Sequence, residues 1–134
     1  MSVPDTDFPP ETAVPTAIVV CITCRRPGDP DDAPRPGAAL AADTARAADG
    51  SGVAVRRVKC LANCKRGCSA AIVRDGGWSY VFGDLEPTGA AALVEGAKLF
   101  SRATDGLMPW RGRPEALKRG MIARIPPSWH EETE

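Results

Sequence analysis

The chain has 134 residues with 17 basic and 17 acidic side chains, a formal net charge of +0, and 43 % hydrophobic residues. This length predicts one domain with tails, and the balanced charge indicates no nucleic-acid or membrane partner. No apolar run approaches the roughly 20 residues that a bilayer-crossing helix needs. Segment 1–15 is acidic and proline-rich, without the basic start and apolar centre of a secretory signal, so we expect a disordered leader on a cytoplasmic protein.

The first half of the chain predicts a strand, a helix and a second strand. Residues 16–21, TAIVVC, are β-branched and apolar, as in a buried strand. The loop 25–37 holds four prolines and cannot be the interior of a helix. Alanine-rich residues 38–50 predict a helix that ends at Gly50. Residues 53–60, VAVRRVKC, predict the second strand, since valines recur among basic residues.

The following residues predict a hairpin and a second helix. Segment 69–85 indicates two strands around the turn signal Asp75-Gly76-Gly77, and segment 86–106 carries one apolar face at helical spacing. A strand–helix–strand start favours a parallel pair with a right-handed crossover, to which the hairpin adds two antiparallel strands. The predicted fold is α/β (α+β): a thioredoxin-like, small mixed sheet with flanking helices over residues 16–106.

The segment 107–134 is predicted to be a basic C-terminal extension. It has a single acid before the final EETE, against Arg111, Arg113, Lys118, Arg119 and Arg124. Its prolines and glycines exclude a long helix, although 114–119 can form a turn or two. Two interpretations stay open: the extension wraps the core, or it docks an acidic protein or an anionic tetrapyrrole.

The five cysteines fall into two close groups: Cys21 and Cys24, then Cys60, Cys64 and Cys68. An odd number does not suit a closed disulfide framework, and grouped thiols in a reducing compartment indicate metal or redox chemistry. Each group follows one of the two strands that we expect to be parallel neighbours, so the two groups converge on one edge of the sheet. Four thiolates at that edge suit either tetrahedral zinc or an iron–sulfur cluster.

The stretch CLANC (60–64), which follows a valine-rich strand and precedes a hairpin and a helix, resembles the thioredoxin-like [2Fe-2S] ferredoxins. In that family a Cys-Leu-Gly-x-Cys-type stretch supplies the second ligand pair. The resemblance covers about residues 16–104. It implies a one-electron carrier, a protein redox partner, a homodimer, and a [2Fe-2S] cluster held by Cys21, Cys24, Cys60 and Cys64.

The chain also departs from the pattern of that family. Its first cysteine pair is closer than is usual there, and Cys68 stands where the family more often has a proline or a small residue. Cys68 is therefore interpreted as a packed residue or nearby thiol, with a role as an alternate ligand as the second hypothesis. The whole chain, including PWRGRPEALKRGMIARIPP, is also similar to small bacterial proteins known only as predicted metal-binding. That context suggests a metal-cofactor pathway such as cobalamin biosynthesis.

Two alternative functions remain open beside the electron carrier. A zinc site would use the same four thiolates to staple the fold, or to deliver or sense the metal. A thiol–disulfide oxidoreductase would place its C-x2-C pair at a helix start, whereas Cys24 leads into the proline-rich loop. The only histidine, His130, lies in a polar tail, so no nucleophile–base pair can be assembled. We therefore expect a protein that is not an enzyme.

Overall fold

The computed structural model describes residues 15–23, 35–62, 66–86 and 88–127. The elements within these residues are β1 (Thr16–Cys21), α1 (Pro36–Ala48), β2 (Ala54–Val58), β3 (Ala70–Arg74), β4 (Ser79–Phe82), α2 (Ala90–Ser101), α3 (Glu115–Arg119) and β5 (Met121–Ile125). The predicted leader and most of the proline-rich loop lie outside the described residues. None of the described helices has both the length and the apolar character that a membrane crossing would require.

The strands form one mixed sheet in the order β2-β1-β3-β4-β5. β1 runs parallel to β2, and the other neighbours are antiparallel. The predicted parallel pair, crossover helix and hairpin are therefore confirmed, and the fold is the thioredoxin-like α+β fold that the sequence predicts. In this arrangement the carboxyl ends of β1 and β2 lie at the same edge of the sheet, which also contains the start of β3.

The core lies between one face of the sheet and the two long helices. α1 packs on β1 and β2, α2 packs on β1 and β3, and the helices contact each other, which places both on the same face. Ile18 of β1 lies opposite Ile72 of β3, which lies opposite Tyr80 of β4, and all three side chains are at most 1 % exposed. Burial of each such apolar side chain contributes about 1.5–3 kcal/mol.

Element ends differ from the prediction by a few residues. α1 begins two residues earlier than predicted, because Pro36 occupies its first turn, where a missing N–H costs nothing. α2 begins at Ala90 rather than at residue 86, after Gly89 at the N-cap. Gly50 has φ +80°, as befits a residue just beyond a helix, although the helix itself ends at Ala48.

The described part of the predicted C-terminal extension is built into the fold, and its strand β5 was not predicted. The hydroxyl of Tyr80 accepts a hydrogen bond from the Met108 N–H at 2.9 Å. Arg113, only 7 % exposed, donates to the carbonyls of Met108 at 2.5 Å and Pro109 at 3.1 Å. Leu117 of α3 is fully buried. Buried polar and apolar groups of the core thus hold this segment, which agrees with the wrapping interpretation for residues 107–127.

Candidate metal centre

Cys21 is the last residue of β1 and lies at the edge of the sheet. Its N–H donates to the carbonyl of Ser69 at 3.1 Å, and its Sγ lies 3.6 Å from the carbonyl oxygen of Lys59. The N–H of Ile22 continues the parallel pairing by donating to the Val58 carbonyl at 2.9 Å. The thiol is 2 % exposed. Strand pairing therefore places this sulfur beside the chain that leads from β2 into the second cysteine group.

Cys60 lies two residues beyond the end of β2 and is exposed. Its Sγ accepts a hydrogen bond from the N–H of Ala62 at 3.1 Å. Ala62 has φ +61°, in the left-handed region that glycine adopts more readily than alanine. This turn directs a backbone donor at the sulfur, and such a donor interacts more strongly with a thiolate than with a thiol.

Thr23 links the two cysteine-bearing loops. Its hydroxyl donates to the carbonyl of Lys59 and lies 3.6 Å from the Sγ of Cys21. A hydroxyl can rotate its proton from one acceptor to the other. The loop after β1 and the loop after β2 are thus held together by a side chain that also contacts the sulfur of Cys21.

Cys68 is fully buried in the hydrophobic core. The Cys68 N–H donates to the Leu85 carbonyl at 3.4 Å, and the Leu85 N–H donates to the Cys68 carbonyl at 3.1 Å. It directly precedes Ser69, the residue that pairs with Cys21. Cys68 is thus packed in the core, as is Cys21, which is 2 % exposed, so burial does not separate Cys68 from the predicted ligands. Its place next to this pair puts it near the end of the sheet where β1 and β2 finish, which we call the cysteine edge.

Cys24 and Cys64 lie outside the described residues. Within the residues that the structure does describe, no three metal-ligating side chains of the histidine, cysteine, aspartate or glutamate type come together. The structure thus brings the ends of β1 and β2, with Cys21 and Cys60, to one edge, and the complete set of four ligands stays a prediction.

Several cations lie before and after Cys60 in the chain. Arg56, Arg57 and Lys59 are exposed. Arg66 forms an ion pair with Asp84 through both Nε, at 2.8 Å, and an Nη, at 2.7 Å, and the Asp84 N–H donates to the Arg66 carbonyl at 2.6 Å. This pair joins the segment that carries Cys60, Cys64 and Cys68, which we call the cysteine loop, to the residues that follow β4.

Sequence reasoning missed three residues of this site: Thr23, Ala62 and Asp84. The only sequence signal was at Ala62, which stands where the thioredoxin-like [2Fe-2S] ferredoxins have glycine. A threonine and an aspartate in loops carry no such signal, since their partners, Lys59 and Arg66, are distant in the chain and become neighbours only in the folded protein.

The mixed sheet, with its parallel first pair and antiparallel hairpin, gives the chain a thioredoxin-like fold. The chain belongs to the family described as a protein of unknown function, DUF1636, whose model matches residues 18–127. No curated protein matches the chain.

Solved structures of a thioredoxin-like [2Fe-2S] ferredoxin from Aquifex aeolicus are similar to this chain. One has a TM-score of 0.57 at 18 % identity, over 89 % of this chain and 100 % of that chain. A second, the wild-type protein, has a TM-score of 0.49 at 17 % identity, over 83 % and 99 %. The first likeness confirms the suspected resemblance at the level of the fold.

Proposed function

We propose that this protein is a one-electron carrier that holds a [2Fe-2S] cluster on Cys21, Cys24, Cys60 and Cys64 and passes electrons to a protein partner. The observation that carries the proposal is the meeting of the β1 and β2 ends at one edge. There Cys21 lies beside Lys59, and the Cys60 sulfur accepts a backbone hydrogen bond.

The two described cysteines of the proposed set, Cys21 and Cys60, have the chemistry that such a group requires. Thiolates are the ligands that iron–sulfur clusters require, and the N–H of Ala62 directed at Cys60 is the kind of donor that stabilises a ligating sulfur. Cys21 is buried whereas Cys60 is exposed, so a group held between them would lie near the surface, within reach of a partner. When bound, the cluster would supply reversible one-electron chemistry.

The surrounding residues of this chain would set the reduction potential. A cluster with four thiolates carries negative charge, and reduction adds more. The backbone N–H of Ala62 and the exposed cations Arg56, Arg57 and Lys59 would favour the reduced form and so raise the potential. The protein itself needs no catalytic residue, because the cofactor performs the chemistry.

The remaining parts of the proposal come from the resemblance, for the homodimer and the pathway, and from the composition of the sequence, for the location and the segments. We place the protein in the cytoplasm as a homodimer with a leader at 1–15, a ferredoxin domain at 16–106 and a basic extension at 107–134. A metal-cofactor pathway such as cobalamin biosynthesis is the proposed setting. The thioredoxin-like fold supports this proposal, and β5 ties part of the extension to the same sheet.

An absorption spectrum of the protein purified without oxygen, with iron and sulfide analysis, tests the cluster. We expect a brown protein with visible charge-transfer bands that bleach on one-electron reduction, and about equal iron and sulfide. A colourless protein with one bound zinc would instead establish the zinc module, since the same thiolates suit zinc.

Two matched cysteine variants test the ligand set. Cys60→Ala should abolish cluster binding or leave a minor fraction, whereas Cys68→Ala, which truncates a fully buried side chain, should keep the iron content and spectrum. Circular dichroism and a thermal melt show whether each variant is folded. Equal loss of iron from two folded variants would contradict the assignment of the four ligands.

A further inference from the structure

The described C-terminal segment presents a large aromatic side chain to solvent between cations. Trp110 is 57 % exposed. The guanidinium carbon of Arg113 lies 5.0 Å from the centre of its ring, and the Nζ of Lys118 lies 5.1 Å from it. Both distances are in the range of cation–π attraction, which holds the charges in place before any partner arrives. Lys118 belongs to α3, and Arg113 precedes that helix.

A second pair of the same kind continues this surface along β5. The guanidinium of Arg124 lies 4.6 Å from the ring of Trp78. Arg124 pairs with Tyr80 across β4 and β5, and the guanidinium of Arg113 lies 5.5 Å from the ring of the same tyrosine. We call the group of Trp110, Arg111, Lys118 and Arg124, together with Arg113, whose buried guanidinium contacts the rings of Trp110 and Tyr80, the Trp110 patch.

The charges of the Trp110 patch are not neutralised by the part of the chain that the structure describes. No described carboxylate forms an ion pair with its cations, whereas the neighbouring Arg119 is paired with Glu115 at 3.1 Å. Burial is the largest influence on the pKa of the Arg113 guanidinium and lowers it, the interaction with Tyr80 raises it, and the positive charge of Arg124 lowers it. The charge of Arg124 therefore acts on Arg113, and an approaching anionic surface would relieve this repulsion.

We propose that the Trp110 patch is the docking surface for an acidic patch on a partner protein. Tryptophan and arginine are the side chains that most often dominate binding energy at protein interfaces, and here cation–π contacts already order them. Uncompensated cations around an exposed ring give charge complementarity to carboxylates, which raises association rates and selects partners.

The surroundings of the patch carry mixed charge. Beyond α3, the lining of a cavity of about 470 Å³ includes Glu115, which is paired with Arg119, and Asp84, which is paired with Arg66. The chain as a whole has a net charge of +0, which does not favour a nucleic-acid backbone. A protein surface can oppose acids to the patch and leave these ion pairs undisturbed, so a protein is the partner that we propose.

The patch is connected to the cysteine edge through backbone contacts. Gly120 is the C-cap residue of α3, and its carbonyl accepts a hydrogen bond from the N–H of Gly83 at 2.8 Å. The next residue, Asp84, holds Arg66 at the end of the cysteine loop. The sheet order places β5 at the edge opposite to β2, so the patch and the predicted metal centre are separate surfaces, and binding to the patch does not depend on the identity of the metal.

Binding of fluorescein-labelled poly-L-glutamate of about 20 residues to the full-length protein tests this proposal by fluorescence anisotropy at low and physiological salt. We expect salt-dependent binding that Lys118→Glu/Arg124→Glu weakens at least about tenfold and Trp110→Ala weakens about three- to tenfold. The control, Arg46→Glu/Arg102→Glu, reverses two exposed cations outside the patch and should change affinity less than about twofold.

Three results would overturn the proposal. Equal weakening by the patch and control variants would show unspecific charge attraction, and an unchanged affinity in both patch variants would exclude the patch. Tighter binding to an oligothymidylate of the same length, with the same loss in the patch variants, would assign the surface to nucleic acid. Circular dichroism checks the fold of each variant, and Trp110→Ala keeps the test valid if charge reversal disturbs β5.

Discussion

Replacement of Ala62 by glycine should stabilise the protein. Ala62 adopts φ +61°, and a left-handed conformation costs an L-residue other than glycine about 1–2 kcal/mol. Glycine removes this cost but adds about 0.5–1 kcal/mol of chain freedom to the unfolded state. The difference predicts a gain of about 0.5–1 kcal/mol in the free energy of unfolding. The hydrogen bond from residue 62 to the Cys60 sulfur should persist, because it uses only the backbone N–H.

Urea unfolding followed by circular dichroism measures this change, with free energies from linear extrapolation. Ala39→Gly is the matched control, because Ala39 is exposed in α1 and the same chemical change there should cost about 0.5–1 kcal/mol. Ala62→Val should destabilise the protein, since β-branching disfavours positive φ further. If Ala62→Gly destabilised the protein as much as Ala39→Gly, the left-handed turn at the cysteine loop would be refuted.

Three further substitutions probe the attachment of the C-terminal segment and the cysteine edge. Tyr80→Phe leaves the buried Met108 N–H without its acceptor and should cost about 1–3 kcal/mol in urea unfolding, and an unchanged midpoint would contradict that bond. Gly120→Ala should cost about 1–3 kcal/mol, because the new Cβ would lie 2.6 Å and 2.8 Å from two backbone carbonyl oxygens, and full stability would show that they can move. Thr23→Val should lower the reduction potential of the cluster-loaded protein by up to about 40 mV, the equivalent of one hydrogen bond to the Cys21 sulfur. Square-wave voltammetry measures this shift, and Thr23→Ser should retain most of the wild-type potential.

Local sequence signals predicted most of the elements correctly. The β-branched run 16–21 matches β1 residue for residue, and the turn signal at Asp75-Gly76-Gly77 lies between β3 and β4. These signals act within a few residues, so the sequence is enough to indicate them. The strand β5 escaped prediction because MIARI follows a short helix and precedes prolines, and it gains its hydrogen bonds only from the edge of β4.

The candidate site likewise has features that the sequence predicted and features that it did not. The grouping of cysteines after two strands pointed to one edge, and the parallel pairing of β1 with β2 brings Cys21 and the end of β2 together there. Spacing could not show that Cys21 and Cys68 are both buried, and the role of Cys68 as a packed residue or an alternate ligand stays a prediction. Burial depends on which distant elements cover a residue, and spacing carries no such information.

The sequence by itself determined the order of most strands and helices, through patterns that act over a few residues, and its grouped thiols predicted metal or redox chemistry. The tertiary structure decided which distant groups meet: Thr23 with Lys59, Arg66 with Asp84, and Trp110 with Lys118. It also decided that β5, at the end of the described chain, belongs to the sheet. The reason is physical, since hydrogen bonds and cation–π contacts between loops form only after the packing of the core has brought the loops together.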